Sequence, residues 1–323
     1  MRIRSVIAFC LFLLPLGSLA FSAPQLVFLR ENELGDWKIW TADLNGANQK
    51  PIKTSGFIWS AKFISKDQIA VVSDCQIWSI NLSTGQRKKL VRFPAPWWEA
   101  GELAYSPDGN LFFSVKTSEL KSSAFETGLD WAIAKLNIKT GRFKIIKEIQ
   151  HFDPYPVKFA IVGNTLFWLK VEFDALTGDF NPSLVALDLA TKRLQPVVTN
   201  ISWNIQHIWD LAASRSGKKL LVVLYNYEET QPPHSTITFY SFEAHNNRLR
   251  CINIKKVEGL VLRWGEDGCC WLPGENDYLI GLFYLGRIIN GVFFEEFPFG
   301  IIKLVGQEAR VVIKNGFKPD VWY

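Results

Sequence analysis

Gln76-Ile77-Trp78-Ser79-Ile80-Asn81-Leu82, followed by Ser83-Thr84-Gly85-Gln86-Arg87 and then by Lys89-Leu90-Val91-Arg92, is the stretch from which the fold can be read. Its first run alternates apolar and polar residues, the middle is short, polar and glycine-containing, and the third run returns as a strand. That is a β-hairpin with a tight turn. The same unit recurs at Lys38 to Leu44 with Asn45-Gly46, at Trp131 to Ile138 with Lys139-Thr140-Gly141, and at Leu184 to Leu189 with Ala190-Thr191-Lys192. Weaker copies run from Thr236 to Ala244, turning at Asn246-Asn247, and from Gly300 to Val305, turning at Gly306-Gln307. The markers Gly46, Gly85, Gly141, Lys192, Asn247 and Gly306 stand 39, 56, 51, 55 and 59 residues apart, which divides the chain into six units.

A second hairpin precedes most of these. The clearest runs from Leu103 to Val115 around Ser106-Pro107-Asp108-Gly109-Asn110; others are Lys62 to Val72, Phe159 to Leu169, Leu211 to Leu224 and, in degenerate form, Trp271 to Leu279. Each unit is thus four antiparallel strands, and a four-stranded sheet repeated at this period predicts an all-β fold, a six-bladed β-propeller in which neighbouring blades cover both faces of each sheet. A sandwich or a solenoid accounts less well for the four-strand period. The first strand, Gln25 to Arg30, lacks an inner partner from its own side of the chain, and Gly316 to Tyr323 has the pattern of the missing piece. Pairing the two would close the ring and remove two exposed sheet edges.

Composition agrees with a large core. The 24 Phe, 13 Trp and 8 Tyr among 323 residues exclude disordered, collagenous and coiled-coil chains. A net charge of +5 falls to +3 without Arg2 and Arg4, too weak a bias for a nucleic-acid partner. Residues 1–23 place that basic pair before the apolar run Val6 to Leu16 and end in small residues, the layout of a secretory signal peptide cleaved after Ala20 or Ala23. The run is about half of the roughly 20 residues a membrane-spanning helix needs. A periplasmic or secreted product with no transmembrane segment after cleavage is expected, with residues 24–323 as a single propeller domain. Cys10 lies within the apolar run, so the lipoprotein acceptor pattern is missing. Cys75, Cys251, Cys269 and Cys270 show no zinc spacing. Buried free thiols are expected of them, with one disulfide as the alternative.

Ser106-Pro107-Asp108-Gly109 followed by Leu111-Phe112-Phe113, together with Ile39-Trp40-Thr41-Ala42-Asp43-Leu44-Asn45-Gly46, resembles the repeat of TolB-like six-bladed propellers. The resemblance spans residues 24 to 323 and is sharpest in two or three units. It implies the propeller fold and an envelope protein that binds other proteins or peptides. TolB carries a separate α/β domain before its propeller, whereas here the repeat follows the leader directly. The related propellers of prolyl oligopeptidase-type enzymes need a hydrolase domain, and no Gly-x-Ser-x-Gly elbow is present.

With the strands of each blade named a to d from the axis outward, the a–b and c–d turns share one end of the ring and the b–c and d–a connections share the other. The b–c connections Thr117 to Gly128, Phe173 to Pro182, Asn226 to Ser235 and Arg287 to Pro298 are expected as long loops on one binding face. Phe125, Phe173, Phe180, Phe293, Phe294 and Phe297 fall in them, and Trp97 and Trp98 in a d–a connection. These eight are the candidate anchors for a protein or peptide partner; the alternative is that several fold back as lids over the blade ends.

The axial funnel is the second candidate, with Glu99, Glu102, Lys158, His207, Asp210, Glu258 and Asp320 as its polar lining. By resemblance to six-bladed propeller lactonases, Glu99, Asp210, Glu258 and Asp320 are weak candidates for holding a divalent cation such as Ca2+, in a hydrolase or lactonase. The four histidines are scattered, so no zinc signature or His-centred triad forms. Asp108 and Gly109 are assigned to the turn, and Trp40, Trp78, Trp131 and Trp168 to packing between blades. The favoured expectation is a non-enzymatic, exported binding propeller without a cofactor.

Overall fold

A computed structural model describes residues 26–323, apart from residues 55, 74, 94–98, 117–128, 152–155, 174–179, 203–207, 229–233, 259, 262–265, 290–291 and 307. The described residues form strands and turns only, and no helix among them is long and apolar enough to cross a membrane. The leader expected at 1–23 lies outside them.

The strands fall into six sheets. β1 (Leu26–Glu31), β2 (Trp37–Ala42) and β3 (Lys50–Pro51) belong to blade 1. Blade 2 is β4 (Ile58–Ser65), β5 (Gln68–Ser73), β6 (Gln76–Asn81) and β7 (Arg87–Arg92), and blade 3 is β8 (Glu99–Tyr105), β9 (Leu111–Lys116), β10 (Leu129–Asn137) and β11 (Arg142–His151). Blade 4 comprises β12 (Phe159–Val162), β13 (Thr165–Phe173), β14 (Phe180–Asp188) and β15 (Leu194–Pro196). The short β16 (Val198–Thr199) adds in parallel to the outer strand of blade 5, which is β17 (Ile208–Ala213), β18 (Lys219–Glu228), β19 (His234–His245) and β20 (Arg248–Glu258). Blade 6 holds β22 (Glu266–Trp271), β23 (Tyr278–Ile289), β24 (Val292–Val305) and β25 (Glu308–Lys314), with β21 (Leu260–Val261) paired to the far end of β23. The last strand, β26 (Phe317–Val321), is the inner strand of blade 1, paired with β1 through Leu26↔Val321 and Leu29↔Phe317. The inner strands touch in the closed cycle β26, β4, β8, β12, β17, β22 and back to β26. The six-bladed ring and its closure by the first and last strands are therefore as the repeat predicts.

The core is six apolar clusters, one at each junction between blades. A strand in the middle of a blade is buried on both faces, so its period of two sorts residues between two clusters. In β1, Val27 and Leu29 pack toward blade 2 while Leu26 and Phe28 pack toward blade 6. In β18, Leu220, Val222 and Leu224 face blade 4, and Leu221, Val223 and Tyr225 face blade 6. The adjacent Cys269 and Cys270 divide in the same way, into the 5–6 and the 6–1 junctions. All four described cysteines are free, two of them buried and Cys75 and Cys251 half-buried. Trp131 and Trp168 fill the 3–4 junction together.

The c–d turns repeat in atomic detail. Asn81, Asn137 and Asp188 each end strand c and accept two backbone N–H bonds through Oδ1, from residues two and three ahead. The residue four ahead, Gly85, Gly141 or Lys192, takes a positive φ that glycine adopts without strain. Asp108 does the same kind of work in the a–b turn of blade 3, accepting from Ser106 Oγ and Asn110 Nδ2 while Gly109 N–H donates to Ser106 O at 2.9 Å.

Candidate functional site

Inner strands alternate their side chains between the two neighbouring blades, and the charged residues there bind one blade to the next. Asp320 on β26 accepts the Phe63 N–H of β4 at 2.7 Å, and its other oxygen lies 3.6 Å from Lys62 Nζ. Asp210 on β17 accepts the Cys269 N–H of β22 at 2.8 Å and its neighbour's Leu211 N–H at 2.8 Å. Glu102 on β8 takes Lys158 Nζ at 3.1 Å and Lys318 Nζ at 3.2 Å, and Lys318 also donates to Trp59 O at 2.8 Å. The Glu102 carboxylate thereby joins blade 3 to Lys158 before blade 4 and to Lys318 of blade 1, which in turn bonds blade 2. Burial alone would push the Glu102 carboxyl up, but Lys158, Lys318 and Lys62 outweigh it and hold it well below the usual carboxylate range. Burial likewise lowers Lys62, and Asp320 foremost among its neighbours more than reverses this. Gly101, beside Glu102, lets Pro156 approach so closely that a Cβ would lie 2.3 Å from the Pro156 Cβ.

The a–b turns crowd the axis at their end. A Cβ on Gly217 of blade 5 would stand 2.5 Å from Pro107 Cγ of blade 3. The Arg215 guanidinium in the same turn lies 3.4 Å from the centre of the Trp322 ring and 5.4 Å from that of Tyr105. Arg215 N–H donates to Tyr323 Oη at 3.2 Å, and Glu275 accepts from Ser216 N–H and Oγ, both at 2.8 Å, and from Tyr323 Oη at 3.4 Å. Beneath these turns is a cavity of about 80 Å3 lined by Lys62, Tyr105, Arg215, Cys270, Asp320 and Tyr323, among others. At on the order of 30 Å3 per water molecule it holds a few waters, against several hundred Å3 for a drug-sized ligand.

The opposite end is uneven. In blade 2, β5 and β6 have 6 residues each, whereas β18 and β19 of blade 5 have 10 and 12, and β23 and β24 of blade 6 have 12 and 14. At roughly 3.3 Å per residue, six extra residues carry a hairpin about 20 Å further. The expected irregular loops are therefore extended hairpins in blades 4, 5 and 6. Phe173 and Phe180 are themselves a cross-strand pair, Phe293 and Phe294 pair with Ile288 and Arg287, and Phe297 pairs with Leu285. The reason lies in the residues. Val292-Phe293-Phe294 is a strong strand former, and the pairing of Ile289 with Val292 leaves only Asn290-Gly291 between the strands, the dipeptide most suited to a two-residue hairpin turn. Trp97, Trp98 and Phe125 lie outside the described residues, as do the side chains of the five paired phenylalanines.

Of the proposed axial residues, Glu102 pairs with Lys158, and Asp210 and Asp320 lie on inner strands and each bond the inner strand of the next blade. Glu99 opens the inner strand β8, with its side chain outside the described part, and His207 is outside it altogether. Glu258 is not on an inner strand: β20, the outer strand of blade 5, runs on to pair Glu258 with Thr236. No group of three or more His, Cys, Asp or Glu side chains suited to a metal occurs among the described residues. Sequence reasoning missed Lys62, Lys318 and Arg215. The signal was there for Lys62, which like Glu102, Asp210 and Asp320 is a charged residue set among apolar ones in an inner strand.

No family model matches this sequence, and no curated protein matches it. Solved structures do. An oligogalacturonate lyase from Vibrio parahaemolyticus superposes with a TM-score of 0.53 at 11% identity, covering 89% of this chain and 79% of that one. An oligogalacturonate lyase in complex with manganese gives 0.50 at 13%, covering 85% and 81%. Regucalcin, a calcium-binding protein from Agrobacterium tumefaciens, gives 0.52 at 13%, covering 94% and 96%. At these identities the likeness shows the six-bladed propeller fold alone, and nothing in it is specific to TolB or its repeat.

Proposed function

We propose that this chain is an exported, non-enzymatic propeller of the bacterial envelope that docks a protein or peptide partner on its long-hairpin end. The observation that carries the reading is the extension of the blade 4, 5 and 6 hairpins past the ring, with Phe173, Phe180, Phe293, Phe294 and Phe297 on the extended segments. Aromatic residues contribute most per side chain to docking interfaces. The secretory pattern of residues 1–23 and the TolB-like repeat support an envelope setting. Replacing Phe293, Phe294 and Phe297 together by Ser tests it: the variant is expected to lose a partner crosslinked from envelope extract while keeping its melting midpoint. Undiminished capture would exclude this end as the docking face.

The alternative is a propeller hydrolase or lactonase with an axial divalent cation, and it draws on the manganese complex and the calcium-binding protein among the structural neighbours. Calcium asks for six to eight oxygen ligands. Asp210 and Asp320 already accept backbone N–H bonds, and the described axis carries Lys62, Lys158, Lys318 and Arg215 beside Glu102, Asp210 and Asp320. That charge balance favours the binding reading.

A further inference from the structure

The Arg215 guanidinium is held by its faces, between Trp322 and Tyr105, and no carboxylate pairs with it among the described residues. Its Nη2 is buried without a hydrogen-bond partner among the described residues. Lys62, on the same cavity, has Asp320 as its nearest carboxylate among the described residues, at 3.6 Å, which is beyond hydrogen-bonding distance. Asp320 accepts the Phe63 N–H with one oxygen and faces Lys62 with the other, and it makes no ion pair with Arg215. Glu275 at the rim is engaged by Ser216 and Tyr323. Arg215, with its unmet Nη2, and Lys62 thus border about 80 Å3 of partly open space beside Asp320.

We propose that this cavity is a binding site for a small monocarboxylate anion, seated on the Arg215 edge and reached by Lys62. A planar two-oxygen anion matches the guanidinium edge, and a guanidinium fixed by stacking loses little freedom when it binds. The volume admits a carboxylate with one or two carbons attached, and the excess of cationic donors disfavours a metal ion there. Water alone would satisfy Nη2 but would leave the excess charge uncompensated. The site lies at the turn end, opposite the docking hairpins, so it stands or falls separately from the proposed function.

The test is isothermal titration of the full chain, at constant ionic strength, with sodium acetate, with acetamide and with N-acetylglycine. Acetate is expected to bind at one saturable site and acetamide, its neutral counterpart, not to bind. N-acetylglycine binding as well as acetate would identify the site as one for the carboxylate end of a larger molecule; weaker binding would identify a free small acid. Arg215→Gln is expected to weaken acetate at least roughly tenfold, and Lys62→Gln to weaken it less. Equal responses to acetate and acetamide, or no saturable binding, would overturn the proposal using the unmodified protein alone. So would undiminished acetate binding by a folded Arg215→Gln variant.

Discussion

At the turn end of the ring, Gly217 of blade 5 closes on Pro107 of blade 3, and Arg215, Tyr105, Trp322 and Tyr323 pack over the axis. At the hairpin end, blades 5 and 6 run on beyond blade 2 by six or more residues in most of their middle strands. One end is closed by packing within the ring; at the other, the middle strands of blades 5 and 6 are longer than those of blade 2. Stability is thus expected to respond to changes at the axis and its turn end, and recognition to changes at the hairpin end, with little crossover.

The largest effect should come from cutting the ring. Removing residues 316–323 takes away β26, with Phe317 fully buried, the Asp320 bond to Phe63 and the Lys318 bonds to Trp59 and Glu102. Loss of a single cooperative thermal transition is expected by circular dichroism. A truncated chain that melts at the full-length midpoint would show that closure contributes nothing, and the contrast between the ends would collapse with it.

Next in size is Glu102→Gln. Taking the charge from this carboxylate leaves Lys158 and Lys318 facing each other in a buried site, which should cost about 3 kcal/mol. The pH dependence has a defined sign. Because the folded carboxyl sits below its unfolded value of about 4.3, Glu102 contributes stability above that pH and loses it as the pH falls. Melting midpoints of the two proteins should therefore differ by a constant amount above about pH 5 and draw together progressively as the pH falls below about 4, toward the depressed pKa of the folded carboxyl. A gap that did not narrow at all as the pH fell below about 4 would mean that the lysines are not what Glu102 answers to.

A smaller effect isolates the crowding at the turn end. Gly217 and Gly85 have nearly the same φ, +67° and +69°, but a Cβ meets Pro107 at the first and nothing within 4 Å at the second. The shared backbone strain cancels in a comparison of Gly217→Ala with Gly85→Ala, leaving overpacking of about 1–3 kcal/mol. Equal melting midpoints would show that the turns yield freely, and that the turn end is looser than its contacts imply.

The repeat was legible because a blade leaves a period in the chain: an Asx residue ends strand c in Asn81, Asn137 and Asp188, and a left-handed residue follows four positions on. Ring closure was legible because Gly316 to Tyr323 had a strand pattern and no local partner. The axial pairings were not, because Glu102 meets lysines 56 and 216 residues away and nothing in a linear pattern selects Lys318 over other lysines. The hairpin extensions were read as loops although Val292-Phe293-Phe294, beside Asn290-Gly291, is a strand-forming run. Glu258 was misplaced because β20 is 11 residues long where the matching β7 has 6.

The smallest expected effect is that of calcium on melting, and it bears on which end of the molecule holds chemistry. A ligand that binds only the folded state raises the midpoint with its concentration, by about 2.7 kcal/mol of stability at a hundredfold excess over Kd. With Asp210 and Asp320 bound to the backbone N–H groups of Cys269 and Phe63, a cation would have to share those carboxylates with the N–H bonds and approach Lys62 and Arg215. No shift is expected for calcium or manganese. A saturable rise that vanished in an Asp320→Asn variant would place a cation at the axis, restore the enzyme reading, and make the turn end, rather than the projecting hairpins, the functional half of the ring.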